Sequence, residues 1–425
     1  MDIKLILLLV IFISGLLAIA FEHQLQINKS WIALLTGTAM WIIVSVGADP
    51  KIMHHAISEG SVEIFELIIF LIGAMTIVEM LGHFRFFTWI ESKLMEKNIS
   101  NRKLFWILGL ITFFGSALLD NLTITLVMIQ IGKKLYIRKE NFNTFLINTV
   151  IAANAGGAMS PVGDITTIMM WLEGKFTAWQ VLLEGLLPSL VAWVIPQAWL
   201  THRIVYEDRQ GSLEKVPPLK WYIILLGLST FILAVLVNIV HLPPFFGILF
   251  GLGLSAIVID HRMKRGKLLR KANKIVNVIR TIDMATITFF VGILLAVNAL
   301  GYYGILDTIA LYIFGQDPAS HPELLIIGHS ILGVVSSFVD NVPLTAAVID
   351  MLPEGINYQY WVLLAITAGT GGSIMIIGSA AGVAAMGQEP KLTFTYYFKK
   401  GSLPAFIGYL AAVGVWLLQM QWIGE

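Results

Sequence analysis

Residues 115–128 read GSALLDNLTITLVM, and residues 335–348 read VSSFVDNVPLTAAV. Each is an apolar run with an acid-amide pair in its middle, Asp120-Asn121 in the first and Asp340-Asn341 in the second. On insertion scales an aspartate near the centre of a membrane helix costs about 2.5–3.5 kcal/mol. A chain that accepts this cost twice, in the same local sequence, points to a polar cavity at membrane depth.

The surrounding sequence is that of a membrane protein. Of 425 residues, 57% are hydrophobic and 13% charged, where soluble domains carry about 25% charged residues. Apolar runs predict ten spans near 3–20, 31–47, 62–82, 145–171, 180–200, 221–238, 245–260, 284–303, 360–386 and 403–421. The first run carries Lys4 and ends on a signal-peptidase-like Ala18-Ile19-Ala20. It is read as a retained span, because a counterpart run, Trp221 to Asn238, opens the second half. A net charge of +1 argues against a nucleic-acid partner. The absence of cysteine excludes disulfides, thiolate metal sites and thiol nucleophiles.

The halves repeat. FLIGAMTIVEMLGHF at 70–84 matches FFVGILLAVNALGYY at 289–303, SALLDNLTITLVMI at 116–129 matches SSFVDNVPLTAAVI at 336–349, and NAGGAMSPVGD at 154–164 matches GTGGSIMIIGS at 369–379. The offsets, 219, 220 and 215, keep one order and one spacing, which indicates internal duplication. The chain therefore divides into repeats at 1–205 and 219–425 with a linker at 206–218.

Charge orients the copies. If 104–131 and 324–351 each enter and leave the membrane on one side, each half has five spans and the second is inverted. All Lys and Arg except Lys4, Lys51 and Lys175 then lie on the cytoplasmic side, and both termini lie outside. The first stretch has Lys or Arg on both flanks and the second on neither, as two re-entrant hairpins from opposite faces require. The expected fold is all-α: ten transmembrane helices plus two re-entrant hairpins in two inverted five-helix repeats, with a broken helix after each hairpin. The breaks are marked by Gly156, Gly157, Pro161 and Gly163 in one half and by Gly369, Gly371, Gly372 and Gly378 in the other.

Broken helices free backbone carbonyls and half-helix ends at the midplane. Asn154, Asp164, Thr166 and Thr167 surround the first break, and Ser373 and Ser379 occupy the second. Carboxylates, amides and hydroxyls make an all-oxygen shell suited to Na⁺ or Li⁺ at Asp120, Asp164 and Asp340. Crowded carboxylates also hold protons more tightly, so cation and protons compete. A site of this kind opened alternately to each side is an antiporter. Asp and Asn are also common helix caps, a structural role that stands beside the functional one. Glu66 and Glu79 are secondary candidates for a proton route or for structural hydrogen bonds; position 79 matches Asn298 in the second copy. His54-His55 reads as a solvated pair, and His83 and His329 as boundary histidines. The segment 261–280, with eight Lys/Arg, reads as an amphipathic helix on the anionic leaflet, and 83–103, with Trp89 and Ile90, in a similar part.

LDNLT, NAGGAMSPVGDITT, VDNVP and GTGGSIMIIGS together resemble the NhaD-type sodium/proton antiporters of the ion transporter superfamily, over nearly the whole chain. The resemblance implies Na⁺(Li⁺)/H⁺ exchange across a bacterial inner membrane by a homodimer, each subunit having a scaffold part and a mobile part, with no cofactor and no catalytic residues. By motif it carries the site to Asp120, Asn121, Asn154, Asp164, Thr166, Thr167, Asp340, Asn341, Ser373 and Ser379. The superfamily's dicarboxylate and citrate carriers have Ser-Asn-Thr at both tips; here Asp stands in place of that Ser twice, which supports a cation as principal substrate. Ser379 stands where the first copy has Asp164, so the halves supply different ligands. Arsenite export and a cation channel are the alternatives. An intramembrane aspartyl protease needs a Tyr-Asp that this chain lacks.

Overall fold

The computed structural model describes residues 3–20, 25–96, 99–207, 220–263, 278–338, 341–389 and 391–423. Among these residues there are helices and no strands. The first half has α1 (Ile3–Ala20), α2 (Lys29–Ser45), α3 (Pro50–His83), α4 (Phe86–Met95), α5 (Asn101–Ser116), α6 (Asn121–Leu135), α7 (Lys139–Ala158), α8 (Ile165–Leu172) and α9 (Ala178–Thr201). The second has α10 (Trp221–Ile239), α11 (Pro244–Met263), α12 (Met284–Tyr302), α13 (Ile305–Phe314), α14 (Pro322–Val335), α15 (Asn341–Met351), α16 (Tyr358–Gly371) and α17 (Ala380–Gln388). It ends on α18 (Phe394–Tyr397), a π turn over Phe398–Ser402, and α19 (Leu403–Ile423). Six helices are long and apolar enough to cross a membrane by length and composition. With the all-helical architecture they make this a polytopic membrane protein.

Helix ends follow the sequence. Asn28 caps α2 and Asp49 caps α3, with Pro50 at the first helical position, where no N–H is needed. A Thr177–Gln180 capping box starts α9. Each stretch containing an Asp-Asn pair is two helices, α5/α6 and α14/α15, of 16, 15, 14 and 11 residues. At 1.5 Å per residue they reach about 17–24 Å, short of the roughly 30 Å of hydrocarbon. Spans 145–171 and 360–386 are interrupted, α7 from α8 at residues 159–164 and α16 from α17 at 372–379.

Three points were not foreseen. The third helix runs for 34 residues, well beyond the expected 62–82. The connection at 83–103 contains the helix expected there, α4, but its counterpart α13 lies in a stretch the sequence left without an element. His329 is not at a boundary: it is buried in α14 against the Phe314 ring. Most of the basic segment 261–280 lies outside the described residues.

Contacts sort the helices into two groups. One joins α1, α2, α3, α10, α11 and α12; the other joins α5 to α9, α14 to α17 and α19. In the first, α2 crosses α12 backbone to backbone. A Cβ on Gly37 would land on the Gly292 carbonyl, and one on Gly292 on the Ala33–Leu34 peptide. The small helices bridge the groups, α4 touching α3 and α6, and α13 touching α12 and α15. The groups also meet directly where α15 packs on α12 and α8 on α3.

Candidate functional site

The second group is built around the helix breaks. Ser116 donates to the Ala153 carbonyl at 2.6 Å, and its counterpart Ser336 to the Ala368 carbonyl at 3.0 Å. These bonds tie the end of α5 to α7 and the end of α14 to α16, the helices that break next. Glycine makes the approach possible. A Cβ on Gly156 would fall on the Phe113 carbonyl, and one on Gly371 on the Gly333 carbonyl.

Four helix N-termini face the centre. Asp120 caps α6, accepting from the Thr123 N–H at 2.9 Å, and Asp164 caps α8, accepting from the Thr166 N–H at 3.3 Å. Ser379 caps α17, accepting from the Gly382 N–H at 3.3 Å, and α15 begins at Asn341. Each N-terminus carries roughly half a positive charge. Four together would draw an anion, and the Asp120 and Asp164 carboxylates supply that negative charge from within the protein. Both aspartates cap a helix and line one cavity.

Hydrogen bonds join the expected residues. Asn121 Nδ2 donates to Asp164 Oδ2 at 3.1 Å and to Asn154 Oδ1 at 3.1 Å. Asn341 Nδ2, from the other half, donates to Asp164 Oδ2 at 3.2 Å. Asn154 Nδ2 donates to Ser373 Oγ at 2.9 Å and Ser379 Oγ at 2.8 Å. Because Asn121 and Asn341 use their amide N–H groups on Asp164, their carbonyl oxygens are the atoms left for a cation. Asn154 uses both ends on its neighbours and holds the site from behind with the two serines. The Thr166 and Thr167 hydroxyls are buried without a hydrogen-bond partner among the described residues. The same holds for Thr125 and Thr345, one turn beyond Asn121 and Asn341, which sequence reasoning missed. Their signal was the i+4 spacing, on the same helix face. Asp340 lies outside the described residues.

Asp120, Asn121, Asp164 and Asn341 line a cavity of about 220 Å³, which runs between α3 and α12 on one wall and α6 and α17 on another. Its mouth carries Asn28, Lys29 and Asp283. The room suffices for several waters. A second cavity, about 140 Å³, lies between α3, α12, α8 and α15, with Glu63, Glu66, Glu173 and Asp350 in its wall. Glu66 thus belongs to the second cavity, along with Asn298. Glu79 is exposed, accepts from the Thr281 hydroxyl at 3.2 Å and joins neither cavity. Among the described residues no group of three His, Cys, Asp or Glu has the geometry of a metal site made by such ligands alone.

Comparison with known proteins finds transporters. A family model described as citrate transporter matches residues 8–369. Sodium/proton antiporter 1 of Arabidopsis thaliana is 39% identical over 419 residues, 95% of this chain and 70% of that protein. Sodium/proton antiporter 2 of the same plant is 36% identical over 422 residues, 95% of this chain and 97% of that protein. The Na(+)/H(+) antiporter NhaD of Alkalimonas amylolytica is 33% identical over 446 residues, 96% of this chain and 89% of that protein.

Proposed function

The chain belongs to the citrate-transporter family, in its branch of NhaD-type sodium/proton antiporters, and on that premise we propose that it exchanges Na⁺ or Li⁺ for protons at the cavity end formed by Asp120, Asp164, Asn121 and Asn341. The observation that carries this reading is the Asp164 carboxylate, buried at a helix N-terminus and held by an asparagine from each half. With both aspartates ionised the site needs positive charge, and a cation coordinated by carboxylate and amide oxygens supplies it. Protons on the same carboxylates supply it equally, so each occupant excludes the other. Asp340 is proposed as a third carboxylate, with Thr166 and Thr167 contributing hydroxyl oxygens.

The placement in the membrane follows from the same reading. The spans are ten, the two Asp-Asn segments are re-entrant, and the repeats are inverted, with both termini outside. The Lys/Arg-rich end, where the larger cavity opens beside Lys29, faces the cytoplasm. Access alternates between the two faces, in a homodimer in a bacterial inner membrane. Although the family model is described by citrate, the deep end of the cavity carries carboxylates, and the one cationic side chain among its lining residues is Lys29 at the mouth. That lining repels a tricarboxylate.

The test is purified protein in liposomes carrying a pH-sensitive dye. An imposed Na⁺ gradient should drive proton movement in the opposite direction, and this should fade as pH falls and protons fill the carboxylates. Uncoupled Na⁺ current would make the protein a channel. Citrate or arsenite movement without Na⁺/H⁺ coupling would overturn the assignment.

A further inference from the structure

The two cavities approach each other along the same four helices, stopping one helical turn apart on three of them and at adjacent residues on the fourth. On α3 the larger cavity reaches Leu71 and the smaller Leu67; on α12 they reach Phe290 and Leu294. On α8 the pair is Ile168 and Met169, and on α15 Val342 and Ala346. All eight side chains are buried and belong to one packed cluster. A layer one turn thick, about 6 Å at 1.5 Å per residue, therefore separates a cavity that reaches Asp164 from one that does not.

The duplication supplies this layer a second time. The repeat offsets map Leu67, Leu71, Phe290 and Leu294 onto Thr286, Phe290, Leu71 and Met75. They map Ile168, Met169 and Val342 onto Val383, Ala384 and Leu122. These seven counterparts line the larger cavity; the eighth, Leu126 for Ala346, does not. Leu71 and Phe290 are each other's counterparts and belong to both sets. One copy of the layer is shut, between α3/α12 and α8/α15; the other stands open, between α3/α12 and α6/α17. The helix contacts show the same asymmetry. Close packing joins α12 to α15 and α3 to α8, while the counterpart pairs, α3 with α6 and α12 with α17, are held apart by the cavity.

We infer that these are two gates of one path and that the gates exchange states. Leu122, Val383, Ala384, Met75 and Thr286 close on Leu71 and Phe290 when Ile168, Met169, Val342 and Ala346 part from them. The smaller cavity then extends to Asp164, and its carboxylate-lined wall becomes the opposite mouth of the path. The driving logic is symmetry. Near-equivalent sequences permit both arrangements, and a bundle with two packed alternatives is bistable rather than continuously deformable. This inference rests on the alternating access proposed above and assigns its gates.

The chain has no cysteine, so one introduced thiol reports without background. Ile165→Cys, beside Asp164 in the wall of the larger cavity, is treated in membrane vesicles of each orientation with a charged, impermeant thiol reagent. It should react from the cytoplasmic side in the conformer described and from the external side when the gates exchange. Two wedges should then act oppositely. Ala384→Trp, which obstructs closure of the open layer, should raise the ratio of cytoplasmic to external labelling, and Ala346→Trp, which forces the shut layer apart, should lower it. A shift of roughly tenfold or more each way is expected for gates that set the populations. Wedges that move the ratio in the same direction, or labelling confined to one face, would overturn the inference. Met75→Cys with Val383→Cys gives a second measurement that adds no bulk. A short bifunctional thiol reagent should bridge them during turnover and stop exchange until reduced, and failure to bridge counts against the second gate. Labelling does not require sodium transport. Side-switching without Na⁺/H⁺ exchange would refute the proposed function alone, and exchange with labelling fixed on one side would refute the gates alone.

Discussion

The two helix breaks have the same backbone and different chemistry. In both, a serine at the end of the preceding helix, α5 or α14, bonds a carbonyl of the helix that breaks, and a glycine of that helix lies against the α5 or α14 backbone. In both, the second half-helix starts on a side chain that caps it, Asp164 or Ser379. Yet the first break brings Asn154 and Asp164, and the second, at the matching positions, brings Gly369 and Ser379. The two breaks share a backbone arrangement and differ in their side chains. The first break carries a carboxylate, and the second holds the Asn154 amide in place through Ser373 and Ser379.

This asymmetry is most open to attack at Asp164. Asp164→Asn should remove nearly all Na⁺-driven proton movement. A carboxylate about 4 Å from a cation at an effective dielectric of 20 is worth roughly 4 kcal/mol, about three orders of magnitude in affinity. Flux in proteoliposomes checks it. Exchange near the wild-type rate would remove Asp164 from the site and make the two breaks equivalent after all.

The glycines test the opposite claim, that the backbones are equivalent. Gly156→Ala and Gly371→Ala each put a methyl group on a carbonyl oxygen of the neighbouring helix, Phe113 in one half and Gly333 in the other. Overpacking of this kind costs about 1–3 kcal/mol or more. Both variants should lower the temperature at which the detergent-solubilised protein loses its monodisperse gel-filtration peak, and by similar amounts. A large loss for one and none for the other would show that the breaks do not share a framework.

Much of this was legible in the sequence because apolar surroundings make polar residues costly and therefore informative. The doubled Asp-Asn pair and the clustered glycines located the hairpin-like elements and the breaks. The structure joins Asn121, Asn154, Asp164, Asn341, Ser373 and Ser379 by hydrogen bonds, and Asn121, Asp164 and Asn341 line the larger cavity together with Asp120. Which of them face the cavity was not legible, since that depends on how two halves some 200 residues apart interlock. Glu66 and Glu79, on one helix, lie in different surroundings for this reason. Thr125 and Thr345 were passed over because a threonine in an apolar helix most often bonds its own backbone, as Thr112 does to Leu108. The short helix α13, ten residues long, is too short to read as a span.

Restoring the missing acid sharpens the comparison further. Ser379→Asp would place a second carboxylate beside Asn154, at the position matching Asp164. Like charges hold protons more firmly, so the pH at which exchange is half-maximal should rise, by about one unit. An unchanged pH profile, with Asp164→Asn still inactive, would mean that the second break is electrically remote from the first.

The smallest effect separates the two serines. Each gives Asn154 Nδ2 an acceptor, and losing one such bond is worth about 1 kcal/mol, roughly a fivefold rise in the Na⁺ concentration needed for half-maximal exchange. Ser379 also caps α17 through the Gly382 N–H, whereas Ser373 has no bond of this kind to a helix start. Ser379→Ala should therefore cost more than Ser373→Ala, both in exchange and in thermal stability. Combining each with Asn154→Ala isolates the difference. Once the amide is gone, Ser373→Ala should add little, because its partner is already absent, while Ser379→Ala should still destabilise the start of α17. Equal residual effects in the Asn154→Ala background would mean that the two hydroxyls act through the same contact and that the cap does not distinguish them.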